Sequence, residues 1–356
     1  MKIGIVGLPN AGKTTLFNAL TRAGAQTAPY PFTTVEPNVA IVGVPDDRLA
    51  GVAAAAGASP ELPETIEFHD IAGLVRGASS GEGLGNRFLA EIRETDAICH
   101  VIRAHRDEGV PHPEGDGDPA ADAETVEAEL ALADLEQAER RLERVRKQAG
   151  SGDATAAAER DWLERVIEAL GRGEPARGVK TPGGADHAAA HLQALTSKPV
   201  LYVANVSEED AGPPPELVEH ARGRGNCIAL SARIEAELGE LPDDEAAAMR
   251  VELGIPESGL ERLVRAAYEL LDLVTFFTAH RGSEARARAL PRGLTAWDAA
   301  GRVHGEIQAG FVRAEVIGWH DLVEAGGYPE ARERGLIRTE GRDYEVADGD
   351  VITIRH

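Results

Sequence analysis

Aromatic residues make up only 4% of this 356-residue chain, and there are two cysteines, Cys99 and Cys227. Two cysteines cannot build a disulfide framework or a cysteine-based metal site. Each lies in a short apolar run (97–102 and 227–230), where a buried thiol in a strand is expected. No apolar run reaches the roughly 20 residues of a membrane span. The first six residues read as a strand and not as a signal peptide. A soluble, cytoplasmic protein with no membrane partner is expected. Positive charge is also scarce: 37 Lys and Arg against 60 Asp and Glu leave a formal net charge of −23. That argues against general polyanion binding, which needs Lys and Arg for phosphates. A local basic patch remains compatible with it. The Arg-rich stretch 281–292 is read as a solvated loop, with a patch on the C-terminal region as the alternative.

What is present is a hydrophobic fraction of 43% in a chain long enough for two or three domains. Strand-like runs occur at 1–6, 39–44, 65–69, 97–103, 199–205 and 227–231, several separated by helix-length segments. Alternating strands and helices predict an α/β fold with a mostly parallel sheet. Between 103 and 198 the pattern changes. A Gly-, Pro- and Asp-rich loop at 107–122 leads into 125–148, where Ala128, Ala131, Leu135, Ala138, Leu142 and Val145 follow a 3–4 spacing. After a Gly/Ser/Asp break at 150–153 a second helix runs to about 170, with Trp162, Val166 and Leu170 on one side. An antiparallel helical hairpin inserted into the α/β domain is predicted; helices that simply cover the sheet are the alternative. A helix at 259–271 leads to a small β-rich C-terminal region. The expected division is 1–105 with 197–272, an insert at 106–196, and 273–356.

The chemistry is concentrated in a few segments. Gly7-Leu8-Pro9-Asn10-Ala11-Gly12-Lys13-Thr14-Thr15 sits between a strand and a helix, the context of a phosphate-binding loop. Its amides close on phosphates, Lys13 neutralises the outer ones, Thr14 offers a hydroxyl to Mg²⁺, and the helix N-terminus adds its dipole. Asn10, Ala11, Gly12 and Thr15 are expected to line the nucleotide. Asp70-Ile71-Ala72-Gly73 follows a strand; an acid there holds magnesium through water, and Gly73 lets the backbone approach the terminal phosphate. Between them, Pro31-Phe32-Thr33-Thr34 supplies a threonine for the metal shell, Thr34 in preference to Thr33. Asn205-Val206-Ser207-Glu208 stands where a GTPase carries Asn-Lys-x-Asp. Glu208 replaces the Asp that pairs with guanine, and Val206 replaces the Lys, so ATP is favoured over GTP. Ser231 and Ala232 fall where a backbone loop closes on the base. Leu74 occupies the position where many relatives of this architecture orient water with Gln, so another group or a partner must do so. A GTPase of the same fold is the alternative reading. A nucleotide-gated binding module, in which hydrolysis only resets the protein, is another.

These pieces, together with 81–86, 129–135, 234–238 and 341–352, resemble the YchF or Obg-like ATPase family of the translation-factor-related P-loop GTPase superfamily, over essentially the whole chain. The resemblance implies a C-terminal ubiquitin-like β-grasp (TGS) domain, a coiled-coil insert, and an ATPase that associates with the ribosome through the large subunit or the whole particle. Direct RNA contact would then run through the TGS domain or the helical arm. It also implies a loop histidine in place of the missing Gln, which by position is His112. Asn10 is the residue that potassium-activated relatives carry, so K⁺ is a second expected cofactor beside Mg²⁺. His69 stands where the family usually has an apolar residue; strand alternation points it away from Asp70.

Overall fold

The structure is a computed structural model that describes residues 1–27, 38–71, 84–105, 117–150, 153–183, 186–210, 212–255 and 257–356. Its strands are β1 (Lys2–Val6), β2 (Val39–Gly43), β3 (Glu61–Leu62), β4 (Thr65–Asp70), β5 (Ala97–Arg103) and β6 (Val200–Asn205). The remainder are β7 (Gly225–Leu230), β8 (Leu273–Ala279), β9 (Ala285–Pro291), β10 (Arg313–Gly318), β11 (Arg338–Glu340) and β12 (Asp350–Arg355). Two compact units emerge. In their described residues one comprises Met1–Ala23, 38–40 and Glu67–Leu263, the other 24–27, Ile41–Ile66 and Val264–His356.

The first sheet has the order β2-β4-β1-β5-β6-β7, and the pairs β1–β4, β1–β5, β5–β6 and β6–β7 are all parallel. This is the α/β architecture that the alternation of strands and helices predicts. β5 and β6 are buried along their whole length, as central strands covered on both faces must be. Cys99 lies in β5 fully buried, and burial pushes its thiol up to about 12. Cys227 in β7 is half-buried and inert for the same reason.

The helix Pro119–Ala149 changes partner along its length. Its first half buries Ala123, Val126, Leu130 and Ala133 in the same core cluster as Val6, Ile98 and Tyr202 of the sheet. Its second half buries Ala138, Leu142 and Val145 against Trp162, Leu163, Val166 and Leu170 of the helix Ala154–Gly171. The sequence stripe therefore holds from Ala131 onward, with Ala131 and Leu135 half-buried against the same cluster. Ala128 is exposed, because the face that meets the sheet is rotated from the face that meets the second helix. Asp118 caps the first helix by accepting from Ala120 N at 2.9 Å, and Asp153 caps the second by accepting from Thr155 N at 2.9 Å. Between the two halves, Asp134 is fully buried and accepts from Leu195 N, Thr196 N and Thr196 Oγ1 at 2.8, 2.8 and 2.7 Å. Three hydrogen bonds to one carboxylate pin this helix to the segment that enters β6.

The second sheet has the order β11-β10-β12-β8-β9-β3. Here β8–β9 and β10–β12 are antiparallel and β12–β8 is parallel. Phe276 and Phe277 are both fully buried, on opposite faces. Phe276 packs with the helix Ala296–Val303, while Phe277 packs with Leu49, Val52 and Ala53 of the helix Arg48–Ala56. That second helix and β3 come from the N-terminal third of the chain, and β3 pairs with β9 through Glu61↔Ala285. The Arg-rich stretch 281–292 is not a solvated loop: most of it is β9, held in register against β8. Its alternating alanines, Ala285, Ala287 and Ala289, are buried, and so the arginines are carried on the other positions of a strand.

Candidate functional site

The parallel strands β1, β5, β6 and β7 end on the same side, and the loops after them surround one open cleft of about 900 Å³. Crevices outside the carboxyl ends of parallel strands are where α/β sheets bind ligands. The loop after β1 forms the first wall. Gly7 has φ +153°, and a Cβ there would stand 2.2 Å from the Val101 carbonyl oxygen of β5. Only glycine lets the loop pass so close to the neighbouring strand. Asn10 takes the left-handed conformation at φ +65°, and Gly12 follows at φ +99°. The chain then enters the helix Lys13–Thr27, which directs its first-turn amides towards the cleft.

Lys13 is nearly buried. Its ammonium donates to the carbonyls of Gly7 at 3.0 Å and Leu8 at 2.9 Å, which hold it on the inner wall of the loop. Burial lowers its pKa, and the carboxylate of Asp70 works against that. Asp70 ends β4 beside β1, in register with Ile5. Burial raises its pKa, opposed by Lys13. The two charges support each other, and both are short of solvent. A half-buried carboxylate with that deficit favours a nearby cation. Thr14 and Thr15 are exposed in the cleft. A hydroxyl and a carboxylate are hard oxygen donors, so Thr14 and Asp70 suit a divalent metal such as magnesium.

Asn205, at the end of β6, is the tie between walls. Its Nδ2 donates to the Ala11 carbonyl at 3.0 Å, and its Oδ1 accepts from Ala232 N at 3.0 Å. A Cβ on Gly12 would fall 2.2 Å from that Nδ2, so the close approach depends on glycine. The Ala232 amide is thereby engaged with protein, while Ser231 accepts from Ile234 N and caps the short helix Ala232–Leu238. Val206 is buried and donates its amide to Leu230 O at 3.1 Å. Glu208 stays half-exposed with Arg233 3.7 Å from it.

The structure thus brings Asn10, Gly12, Lys13, Thr14, Thr15, Asn205, Val206, Glu208, Ser231 and Ala232 to one cleft. Ala11 contributes its carbonyl to the Asn205 tie and is not part of the lining. Asp70 is not part of the lining and acts on Lys13 through its charge. Thr34, Gly73 and His112 lie outside the described residues. His69 sits 3.3 Å from Glu67 on β4. Sequence reasoning missed Arg103, His105, Ser207, Glu209 and Arg233 on the lining. His105 follows the end of β5 with its Nδ1 2.9 Å from the Asn205 carbonyl oxygen. Its signal was its place two residues past a strand end.

Beneath the cleft, His100 of β5 is buried with its ring 5.9 Å from that of Tyr202. Burial holds its pKa down at about 4, with His220 and Lys13 adding to the effect and Glu127 opposing it. Folding therefore excludes a proton that the unfolded chain takes up below about 6.5. Stability conferred by the neutral ring is complete above pH 6.5 and is lost as pH falls towards 4. A depression of this size corresponds to about 3 kcal/mol. Urea midpoints measured from pH 7 to 4 are expected to drop steeply for the wild type and less for His100→Gln. Parallel curves for the two proteins would remove His100 as the cause.

Comparisons with known proteins agree with this geometry. A family model described as a 50S ribosome-binding GTPase matches residues 2–141. The model for the YchF GTPase C-terminal region, described as a protein of unknown function, matches residues 273–356. The ribosome-binding ATPase YchF of Bacillus subtilis (strain 168) is 47% identical over 359 residues, covering 99% of this chain and 98% of its own. The protein of the same name from Escherichia coli O157:H7 is 45% identical, again over 99% and 98%. A solved structure of the Schizosaccharomyces pombe YchF GTPase superposes with a TM-score of 0.88 at 32% identity, covering 100% of this chain and 97% of that one.

Proposed function

The chain belongs to the YchF family, and on that premise we propose that it hydrolyses ATP in the cleft around Lys13 and Asn205 and uses the reaction as a switch read at the ribosome. The observation that carries the reading is the Asn205 tie, which joins the phosphate loop at Ala11 to the base loop at Ala232. One side chain keeps both ends of a nucleotide site in register. The named relatives are ribosome-binding ATPases, which is the support for the ribosome as partner.

In this reading water attacks the γ-phosphate. The loop amides and Lys13 hold the charge that develops on the phosphate oxygens. Magnesium, when bound, would neutralise the β- and γ-phosphate oxygens, with Thr14, Thr34 and Asp70 holding it. Gly73 brings its amide to the terminal phosphate, and His112 positions the water, since Leu74 cannot. Potassium beside Asn10 is a further part of the proposal, and equal ATPase rates in sodium and potassium buffers would remove it. The region 106–196 serves as the coiled-coil arm and 273–356 as a β-grasp TGS domain, with 1–105 and 197–272 as the ATPase. A cytoplasmic location is part of the proposal; among the described residues no helix is long and apolar enough to cross a membrane.

Base choice rests on Glu208 and Val206. Glu208→Asp with Val206→Lys is expected to shift the ratio of ATP to GTP affinity towards GTP by about tenfold or more. Val206 is buried, so Glu208→Asp alone serves as the milder arm. An unchanged ratio in both would place base selection elsewhere. The whole reading is tested by steady-state ATPase and GTPase rates with and without ribosomes, combined with co-sedimentation in a non-hydrolysable ATP analogue. Absence of ribosome association in every nucleotide state would overturn the switch. Association that survives in a hydrolysis-dead variant would favour a nucleotide-gated binding module.

A further inference from the structure

Far along the chain from the nucleotide loops, three side chains with metal-ligand chemistry meet on the helical insert. His187 and His191 stand one turn apart on the helix Asp186–Leu192, with ring centroids 5.0 Å apart. Glu159 of the helix Ala154–Gly171 faces them and is only 4% exposed. One ligand atom from each of the three lies within 4.8 Å of the others. His187 Nε2 is 3.8 Å from Glu159 Oε2. We infer that Glu159, His187 and His191 form a binding site for a zinc-like divalent metal.

Two imidazoles and a carboxylate are a ligand set that zinc accepts, with a fourth position left to water. Ligand atoms about 2.1 Å from a tetrahedral zinc stand about 3.4 Å apart, so closing the site takes about 1 Å of side-chain movement. Both histidines are exposed enough to rotate. A buried carboxylate needs a compensating cation, and Arg141 now supplies it. Its Nε donates to Glu159 Oε1 at 2.7 Å, and its Nη2 lies 3.1 Å from His191 Nδ1. A guanidinium only donates, so His191 Nδ1 presents a lone pair to it. Arg141 thus stands in for the metal and competes with it, while Glu159 Oε2 and His187 Nε2 stay clear of it. The metal would join the short helix to the longer one, where Ala188 and Leu192 already pack against Trp162 and Leu163.

The test uses the full-length, untagged protein with the nucleotide cleft filled by Mg²⁺ and ADP. Zinc ion is titrated in competition with a chromogenic chelator. One equivalent is expected to bind. His187→Ala/His191→Ala is expected to lose it, and Glu159→Gln, which keeps the shape of the side chain, to weaken it by about tenfold or more. Arg141→Ala is expected to tighten it. Hydrogen exchange over 186–192 is expected to slow on zinc addition in the wild type only. No zinc uptake by the wild type at ten micromolar or so, or an undiminished equivalent in the double histidine variant, would overturn the site.

Discussion

Replacing Lys13 by alanine is expected to lower kcat/KM for ATP on the order of 10³-fold or more, the effect of deleting a preorganised charge from a phosphate-transfer site. That is about 4 kcal/mol of transition-state stabilisation. The ammonium sits on the carbonyls of Gly7 and Leu8, already where the loop curves. Alanine removes the charge and leaves two carbonyls beside an open cleft, where water satisfies them. The fold should therefore survive, with a modest fall in the unfolding midpoint because Asp70 loses its neighbouring cation. Single-turnover hydrolysis with circular dichroism as the control checks both halves. Near-normal turnover in a folded Lys13→Ala protein would show that hydrolysis is carried elsewhere.

Asn205→Ala is expected to act on affinity and stability together. It deletes the donor to Ala11 O and the acceptor for Ala232 N, both buried. Each buried backbone group left without a partner costs about 1–3 kcal/mol. A loss of roughly 2–5 kcal/mol in unfolding free energy is expected, within the range of broken buried networks. Nucleotide affinity is expected to fall at least about tenfold, since the two loops would no longer be held in register. Urea denaturation and ATP-analogue binding on the same preparation separate the two effects. Stability lost with affinity intact would make Asn205 a structural tie only. Together with Lys13→Ala this distinguishes a group that meets phosphate charge from one that places the groups that do.

The phosphate loop was legible because its parts are contiguous. Glycines, a lysine and two threonines in fixed order between a strand and a helix define the geometry with no help from the rest of the chain. Asn205 was legible as a position but not as a tie. Its partners, Ala11 and Ala232, are 194 and 27 residues away. Arg103, His105, Glu209 and Arg233 reach the cleft only because parallel pairing of β1, β5, β6 and β7 aligns the ends of those strands. None of them sits in a spaced motif. The helix Pro119–Ala149 shows the same limit. Its apolar residues recur at helical spacing throughout, yet the sheet claims one half and a second helix the other, so a single stripe misassigned Ala128.

The sequence by itself determined the local chemistry: the phosphate-loop motif between a strand and a helix, and which strands are buried. These follow from backbone conformation and periodicity, which act over a few residues. Only the tertiary structure decided that Asn205 joins the phosphate loop to the loop after β7, that β3 and the helix Arg48–Ala56 pack on the second sheet, and that Glu159 meets His187 and His191. Such placements depend on pairing and burial between segments far apart in the chain. Their energy comes from contacts that no short stretch contains. The phosphate loop therefore could be read from its residues alone, whereas the cleft it faces could not.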